Sequence, residues 1–334
     1  MPELRQNRAT KEWVIIATER AKRPEDFKST KEKKEIPEYS PNCPFCPGNE
    51  DKTPPTLFSI GNGKNWEVRV TLNKYAALSL DVEPYEKTEE FFRSRGGYGH
   101  HEVVIETPKH NLTTALLPES SISNIIKTYK ERYLAILKDK RIHNIIIFKN
   151  HGETAGTSLE HPHSQIVGTP VVPHQIRNRL QEAMRHYDDH NECIFCRTIK
   201  EELKTKERII IETEFFVSFV PYAALTPFHL WIFPKRHNST FGEIREDEIS
   251  DLAKILRITL RKLYFGLNNP DYNYVIRSAP TDGRGLAYFH WYISIIPRLT
   301  KSAGFELGSG MFINVSLPEE NAKFLREVNI PEII

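Results

Sequence analysis

The 334-residue chain has no long apolar run, almost no net charge and only four cysteines, and each shortage removes a class of protein. Without a stretch of about eighteen apolar residues, no membrane-spanning helix is expected. The opening Met1-Pro2-Glu3-Leu4-Arg5 is polar and contains no signal-peptide core, so the expected compartment is the cytoplasm. A formal charge of +2 leaves no concentrated basic face for a nucleic acid. Four cysteines in a reducing compartment are expected to bind metal rather than form disulfides. A mean hydropathy of −0.49 fits a soluble protein, and the length suffices for two domains or one large duplicated one.

The chain contains a repeat. Cys43-Pro44-Phe45-Cys46 and Cys193-Ile194-Phe195-Cys196 are two copies of one CxxC motif. Each precedes an apolar strand with a Pro-Lys-(x)-His ending, at Val103 to His110 and at Leu230 to His237. An amphipathic helix pattern comes next in both copies. Its stripe is Ile122, Ile125, Ile126, Tyr129, Tyr133, Ile136 and Leu137 in the first, and Ile249, Leu252, Ala253, Leu256, Leu260 and Leu263 in the second. A β-rich run then leads to a histidine strand, starting at His161 or His290 and ending at a proline. Five elements in the same order twice imply an internal duplication.

Within each copy two cysteines and two histidines make a set suited to tetrahedral structural zinc. The expected ligands are Cys43, Cys46, His110 and His161 for one site, and Cys193, Cys196, His237 and His290 for the other. Four protein ligands leave no position open for substrate. The alternative is four reduced, buried thiols without metal.

His161-Pro162-His163-Ser164-Gln165 reads as a loop running into a strand. Residues i, i+2 and i+4 of a strand share a face, so His161, His163 and Gln165 are expected to project together. A neutral imidazole can attack phosphorus, and an amide can donate to a phosphoryl oxygen without adding charge. Alone, such a motif is a metal site or a pair of surface histidines. The repeat sharpens it: with His290 matched to His161, Tyr292 stands for His163 and Ser294 for Gln165. Only the first copy should do chemistry, with His163 as nucleophile and Gln165 as neutral donor. The preceding loop, residues 150–158, is rich in small residues, and Asn150, Gly156 and Ser158 are expected beside a phosphate.

These residues resemble the galactose-1-phosphate uridylyltransferase family, the transferase branch of the histidine-triad superfamily. The likeness also takes in Trp13-Val14-Ile15, Arg20-Ala21-Lys22-Arg23-Pro24, Asn73 before Tyr75-Ala76-Ala77-Leu78, and Gly304-Phe305-Glu306. The resemblance implies an α+β fold of two tandem histidine-triad-like halves, residues 1–180 and 181–334, forming one mixed, largely antiparallel sheet with flanking helices. It implies that His163 becomes nucleotidylated in a double displacement, and that His161 binds zinc. It also implies that Arg20, Arg23 and Lys22 meet phosphates, that Asn73 lines the substrate site, and that Gly304, Phe305 and Glu306 reach the hexose of a neighbouring subunit in a homodimer.

The implied substrates are a sugar nucleotide, UDP- or ADP-hexose, with hexose 1-phosphate or phosphate as acceptor. UDP-hexose is the first reading and ADP-glucose phosphorylase the alternative. Uridylyltransferases usually carry Asn-Asp where this chain has Asn73-Lys74, and both the tail and the second CxxC site look more like the phosphorylase branch. A nucleotide-binding regulatory protein without turnover, and a hydrolase, are the rivals from other classes.

Overall fold

The computed structural model of the protein describes residues 1–20, 23–29, 35–63, 65–83 and 85–332. The chain opens with β1 (Glu3–Gln6) and β2 (Trp13–Ile16). The first copy follows: β3 (Thr56–Asn62), β4 (Asn65–Leu72), a separate hairpin of β5 (Glu86–Glu89) and β6 (Phe92–Arg95), β7 (His100–Ile105), α1 (Glu119–Leu137), β8 (Asn144–His151) and β9 (His163–Thr169). Two helices, α2 (His174–His190) and α3 (Ile194–Thr205), lead to the second copy. That copy comprises β10 (Ile209–Glu212), β11 (Phe216–Phe219), β12 (Leu230–Pro234), α4 (Glu246–Gly266), β13 (Tyr272–Arg277) and β14 (Tyr292–Pro297). The tail holds α5 (Gly304–Ser309), β15 (Phe312–Asn314) and α6 (Pro318–Glu327).

The apolar stripes decide the layers. Ile122, Ile125, Ile126, Tyr129, Tyr133 and Ile136 of α1 are buried, as are Ile249, Leu252, Ala253, Leu256, Leu260 and Leu263 of α4. Burying one such aliphatic side chain is worth about 1.5–3 kcal/mol, so a stripe of six fixes which face of a helix meets the sheet. The two helices pack on each other and share one core with Ile145, Ile147, Ile166, Tyr274, Ile276, Ile293 and Ile295. At the start of α4, Glu248 accepts the Arg245 backbone N–H at 2.9 Å, satisfying a donor that the helix leaves free.

Ten strands form one sheet in the order β10-β11-β12-β14-β13-β8-β9-β7-β4-β3. Its two five-strand halves have equivalent connections, so the repeat in sequence is a repeat in topology. They join through β8 and β13, antiparallel, from Tyr272 opposite His151 to Ile276 opposite Ile147. Every pairing between neighbours in this sheet is antiparallel. The parallel pair is β15 with β2, in a three-stranded sheet made from the two ends of the chain. The expected division after residue 180 falls inside α2.

The opposite face of the large sheet is covered unequally. Over the second half lies an aromatic cluster of Phe195, Phe219, Trp231, Phe233, Phe289 and Tyr292. Over the first lies a smaller cluster of Cys43, Phe45, Cys46, Trp66, Val103 and Ile105. This lighter cover leaves Asn150 and Gln165 half-buried rather than sealed. Among the described residues no helix is long and apolar enough to cross a membrane.

Candidate active site

His163 begins β9, opposite Ile105 of β7. Its Nδ1 lies 2.8 Å from the His161 carbonyl oxygen. A carbonyl can only accept, so Nδ1 carries the proton and Nε2 keeps its lone pair. Burial pushes His163 below its ordinary pKa; the bond to the His161 carbonyl opposes this, the Lys149 charge adds to it and Glu106 resists it. The ring is 8% exposed and stands edge-on to Phe45, with centroids 5.4 Å apart. The result is a neutral, fixed imidazole with one free nitrogen.

Gln165 lies two residues along β9. Its carbonyl oxygen is 2.7 Å from His101 Nε2, and His101 Nδ1 accepts the Ala77 backbone N–H at 3.0 Å. That acceptance fixes the tautomer, so His101 donates through Nε2 and leaves the Gln165 amide NH2 uncommitted. Asn73 donates to the same Gln165 oxygen at 3.4 Å. Asn73 is therefore brought to Gln165, whereas His101 was not picked out from the sequence; its neighbour His100 has the same composition signal and instead faces Asp139 at 3.4 Å.

Behind β9 is a buried polar network that the sequence reading also missed. Lys149 Nζ lies 2.7 Å from Glu106 and donates to the His163 carbonyl oxygen at 3.1 Å. Glu106 also accepts from Thr114 at 2.9 Å and from Tyr129 at 3.2 Å, and the Tyr129 hydroxyl reaches Ser164 and Tyr274 at 2.6 Å. Burial alone would raise Glu106, but the Lys149 charge and hydrogen bond hold it below its ordinary value. The backbone and side chain next to the imidazole are thus gripped from the core side.

The small-residue loop is tied to the second half. Asn273 donates to Asn150 and to the Ala155 carbonyl oxygen, both at 2.8 Å. Thr154 donates its backbone N–H and hydroxyl to Asp271 at 2.8 and 2.6 Å. Gly152 has φ +84°, and a Cβ there would meet the Asp271 carboxylate at 2.0 Å, so glycine is required. Gly156 and Ser158 are exposed on this loop.

Cys43, Cys46, His110 and His161 come together with ligand atoms within 4.8 Å of one another. His161 presents Nδ1 to Cys46 and His110, and its Nε2 is 2.8 Å from the Thr107 carbonyl oxygen. That outer bond is the usual way a metal-binding histidine is held. His161 therefore belongs to the knuckle, just ahead of the strand on which His163 and Gln165 lie. In the second copy Cys193, Cys196 and His237 gather within the same limit, and His290 stands outside that group. Its ring is 5.4 Å from that of His237, but Nδ1 turns to the Trp291 carbonyl oxygen at 2.9 Å and the buried Nε2 has no hydrogen-bond partner. Both groups could hold a metal ion.

The remaining expected residues are not joined to His163. Arg23 is exposed, in a segment that packs Phe27 on Phe228 of the second half. Lys22 and the side chain of Arg20 lie outside the described residues. Among the described residues no hydrogen bond or ion pair links Gly304, Phe305 or Glu306 to the His163 region; Glu306 instead accepts the Ala303 backbone N–H at 2.9 Å.

The model of the galactose-1-phosphate uridyl transferase N-terminal domain matches residues 1–173, and that of its C-terminal domain residues 179–328. ADP-glucose phosphorylase of Arabidopsis thaliana is 39% identical over 98% of this chain and 93% of its own. Galactose-1-phosphate uridylyltransferase of Thermotoga maritima is 30% identical over 99% of each. The crystal structure of the Arabidopsis phosphorylase with bound ADP-glucose superposes with a TM-score of 0.85 at 35% identity, covering 99% of this chain and 100% of that one. The chain belongs to the galactose-1-phosphate uridyl transferase family, a family of nucleotidyltransferases.

Proposed function

We propose that the protein transfers a nucleotidyl group from a nucleoside diphosphate hexose to a phosphate acceptor through His163. The observation that carries this is the fixed tautomer: Nδ1–H on the His161 carbonyl leaves the Nε2 lone pair available. In the first step Nε2 bonds to the α-phosphorus and the bond to hexose 1-phosphate breaks, the electron pair leaving with the sugar phosphate. The imidazole ring gains positive charge, which its Nδ1–H shares with the His161 carbonyl. The free Gln165 amide donates to the phosphoryl oxygen, oriented by His101. In the second step an acceptor phosphate oxygen attacks, the N–P bond breaks and neutral His163 returns. Asn150, Gly156 and Ser158 border the phosphates on a loop anchored to Asp271 and Asn273.

ADP-glucose as donor and inorganic phosphate as acceptor is the reading that similarity favours, at 39% identity to a phosphorylase over nearly the whole chain. UDP-hexose with hexose 1-phosphate is the second reading, supported by the uridylyltransferase that aligns over 99% of both chains. Lys74, exposed beside Asn73, has donors and no acceptor for ribose hydroxyls, so with either nucleotide the ribose must be met by another group.

Zinc fits both knuckles by donor set: two thiolates and two imidazoles in the first, and two thiolates, one imidazole and the orphaned Nε2 of His290 beside them in the second. With four ligands each ion would supply structural crosslinking only. Phe305 and Glu306 serve the site of a second subunit in a homodimer, and the reduced thiols suit the cytoplasm. Intact mass after mixing with ADP-glucose, UDP-glucose or UDP-galactose tests the reading. An AMP adduct on His163 that phosphate discharges as ADP supports the phosphorylase. A UMP adduct discharged by hexose 1-phosphate selects the second reading, and release of nucleotide monophosphate without an acceptor overturns both.

A further inference from the structure

The second half holds a donor-rich cleft that the nucleotidyl transfer does not use. Phe148 opposes Gln165 in the first half as Val275 opposes Ser294 in the second, so Arg277 occupies the place equivalent to Asn150. Arg277 lies opposite Tyr292. It shares a small cavity of about 10 Å³ with Arg179 of α2, lined also by Ile146, Ile176, Val275 and Phe289.

The buried Nε of Arg277 and the buried Nη1 of Arg179 have no hydrogen-bond partner. Neither guanidinium forms an ion pair with a described carboxylate. The charge of Glu12 reaches Arg277, yet its carboxylate accepts the Thr10 hydroxyl at 2.7 Å instead. Burial and the neighbouring Arg179 push Arg277 down to about 10. Two like charges with buried N–H groups and no acceptor are costly unless an anion joins them.

We propose that Arg179 and Arg277 form a binding site for an oxyanion of the phosphate class, separate from His163. Paired guanidinium groups match phosphate oxygens through charge-assisted, forked hydrogen bonds. The cavity has room for one oxygen, and the half-buried arginines leave the other oxygens at its mouth. Tyr292 and Ser294 stand where His163 and Gln165 stand in the first half, and the nearby His229 is bonded through Nε2 to Ser294, so no imidazole takes the place of the nucleophile. The site binds without turnover, and it does not depend on which nucleotide sugar His163 accepts.

The test uses the zinc-loaded full chain carrying His163→Asn, which removes covalent chemistry, with inorganic phosphate as probe against chloride at equal ionic strength. Phosphate should raise the melting temperature by several degrees, and dialysis against labelled phosphate should show a bound equivalent that Arg179→Leu/Arg277→Leu removes. Because the substitutions relieve like-charge repulsion, Arg277→Leu should melt higher than its parent in chloride and lose the phosphate response. A structural role predicts the opposite: lower melting in both salts. The proposal fails if the parent shows no phosphate-specific shift, if the double variant keeps the whole of it, acceptor phosphate at the His163 site accounting for any remainder, or if Arg277→Leu merely dissociates an oligomer whose partner chain supplied the counter-charge. Should the leucine variants not fold, dialysis of the His163→Asn chain with Arg179→Gln alone decides: an undiminished equivalent overturns the site, and its loss supports it.

Discussion

The two halves share strand order, a CxxC knuckle and an aromatic ring laid against the key position, Phe45 on His163 and Phe195 on Tyr292. They differ in what lies around that position. The first half has His101 holding Gln165; the second has His229 bonded to Ser294 at 2.9 Å. Beneath β9 the first half buries Glu106 and Lys149, where the matching register of the second has Pro234 and Ile276. A buried ion pair is no more stabilising than well-packed apolar groups of similar size. The second half shows that this fold holds its central strand without one. The pair in the first half therefore serves the site, by fixing the His163 carbonyl, rather than the fold.

The sharpest way to break this comparison is at the key position itself. His163→Asn should slow adduct formation by at least about a thousandfold with bound-metal content unchanged, while Tyr292→Phe stays near the parent rate. Comparable losses in single-turnover assays would mean that both halves react. The next largest effect is on stability. Lys149→Met leaves Glu106 charged and unpaired in the core, and should cost about 3–5 kcal/mol in urea unfolding. Glu106→Leu/Lys149→Met, which imitates the second half, should recover most of that stability. It should still form adduct about tenfold more slowly, because the His163 carbonyl has lost its charged donor. Full recovery of both would reduce the pair to packing.

A smaller contrast separates the amide from its counterpart. Gln165→Ala should slow the first step by roughly a hundredfold, the usual loss for one donor to a developing charge. Ser294→Ala should leave the rate within a few-fold of the parent. An equal effect at both positions would show that the second half shapes the reaction.

Much of this was legible in the sequence because it depends on local order. The helix stripes, the repeat of CxxC, strand, helix and histidine strand, and the first metal set all follow from spacing along the chain. His101 and the Glu106–Lys149 pair were not, because their meaning is set by register. Which of two adjacent histidines faces Gln165 depends on how β7 pairs with β9. Lys149, in Ile147-Phe148-Lys149-Asn150, has the look of a solvated charge, and its partner is 43 residues away, just past the end of β7, a strand that is not the neighbour of β8 in the sheet. His290 matched its repeat in sequence, but the turn of one ring toward the Trp291 carbonyl decides which nitrogen can face the knuckle.

The finest test of the comparison is acid stability, since each half holds a neutral histidine, buried in the second and half-buried in the first, that is not among the expected metal ligands. Burial, with the charges of Arg277 and Arg179, pushes His229 of the second half down to about 3. Burial, with the charge of Lys149, pushes His151 of the first half down to about 4. Both should be neutral in the folded protein and take up a proton more readily when unfolded. Their stabilising effect is complete above the ordinary value near 6.5 and is lost as pH falls, down to 4 for His151 and 3 for His229. Within that window each histidine contributes a slope of about 1.4 kcal/mol per pH unit. His229→Gln, which keeps a hydrogen-bonding group for Ser294, should therefore flatten the urea-unfolding profile below 6.5 and extend the gain to lower pH than His151→Gln. An unaltered acid slope in His229→Gln would mean that the second half admits the proton while folded, and that its core is looser there than that of the first half.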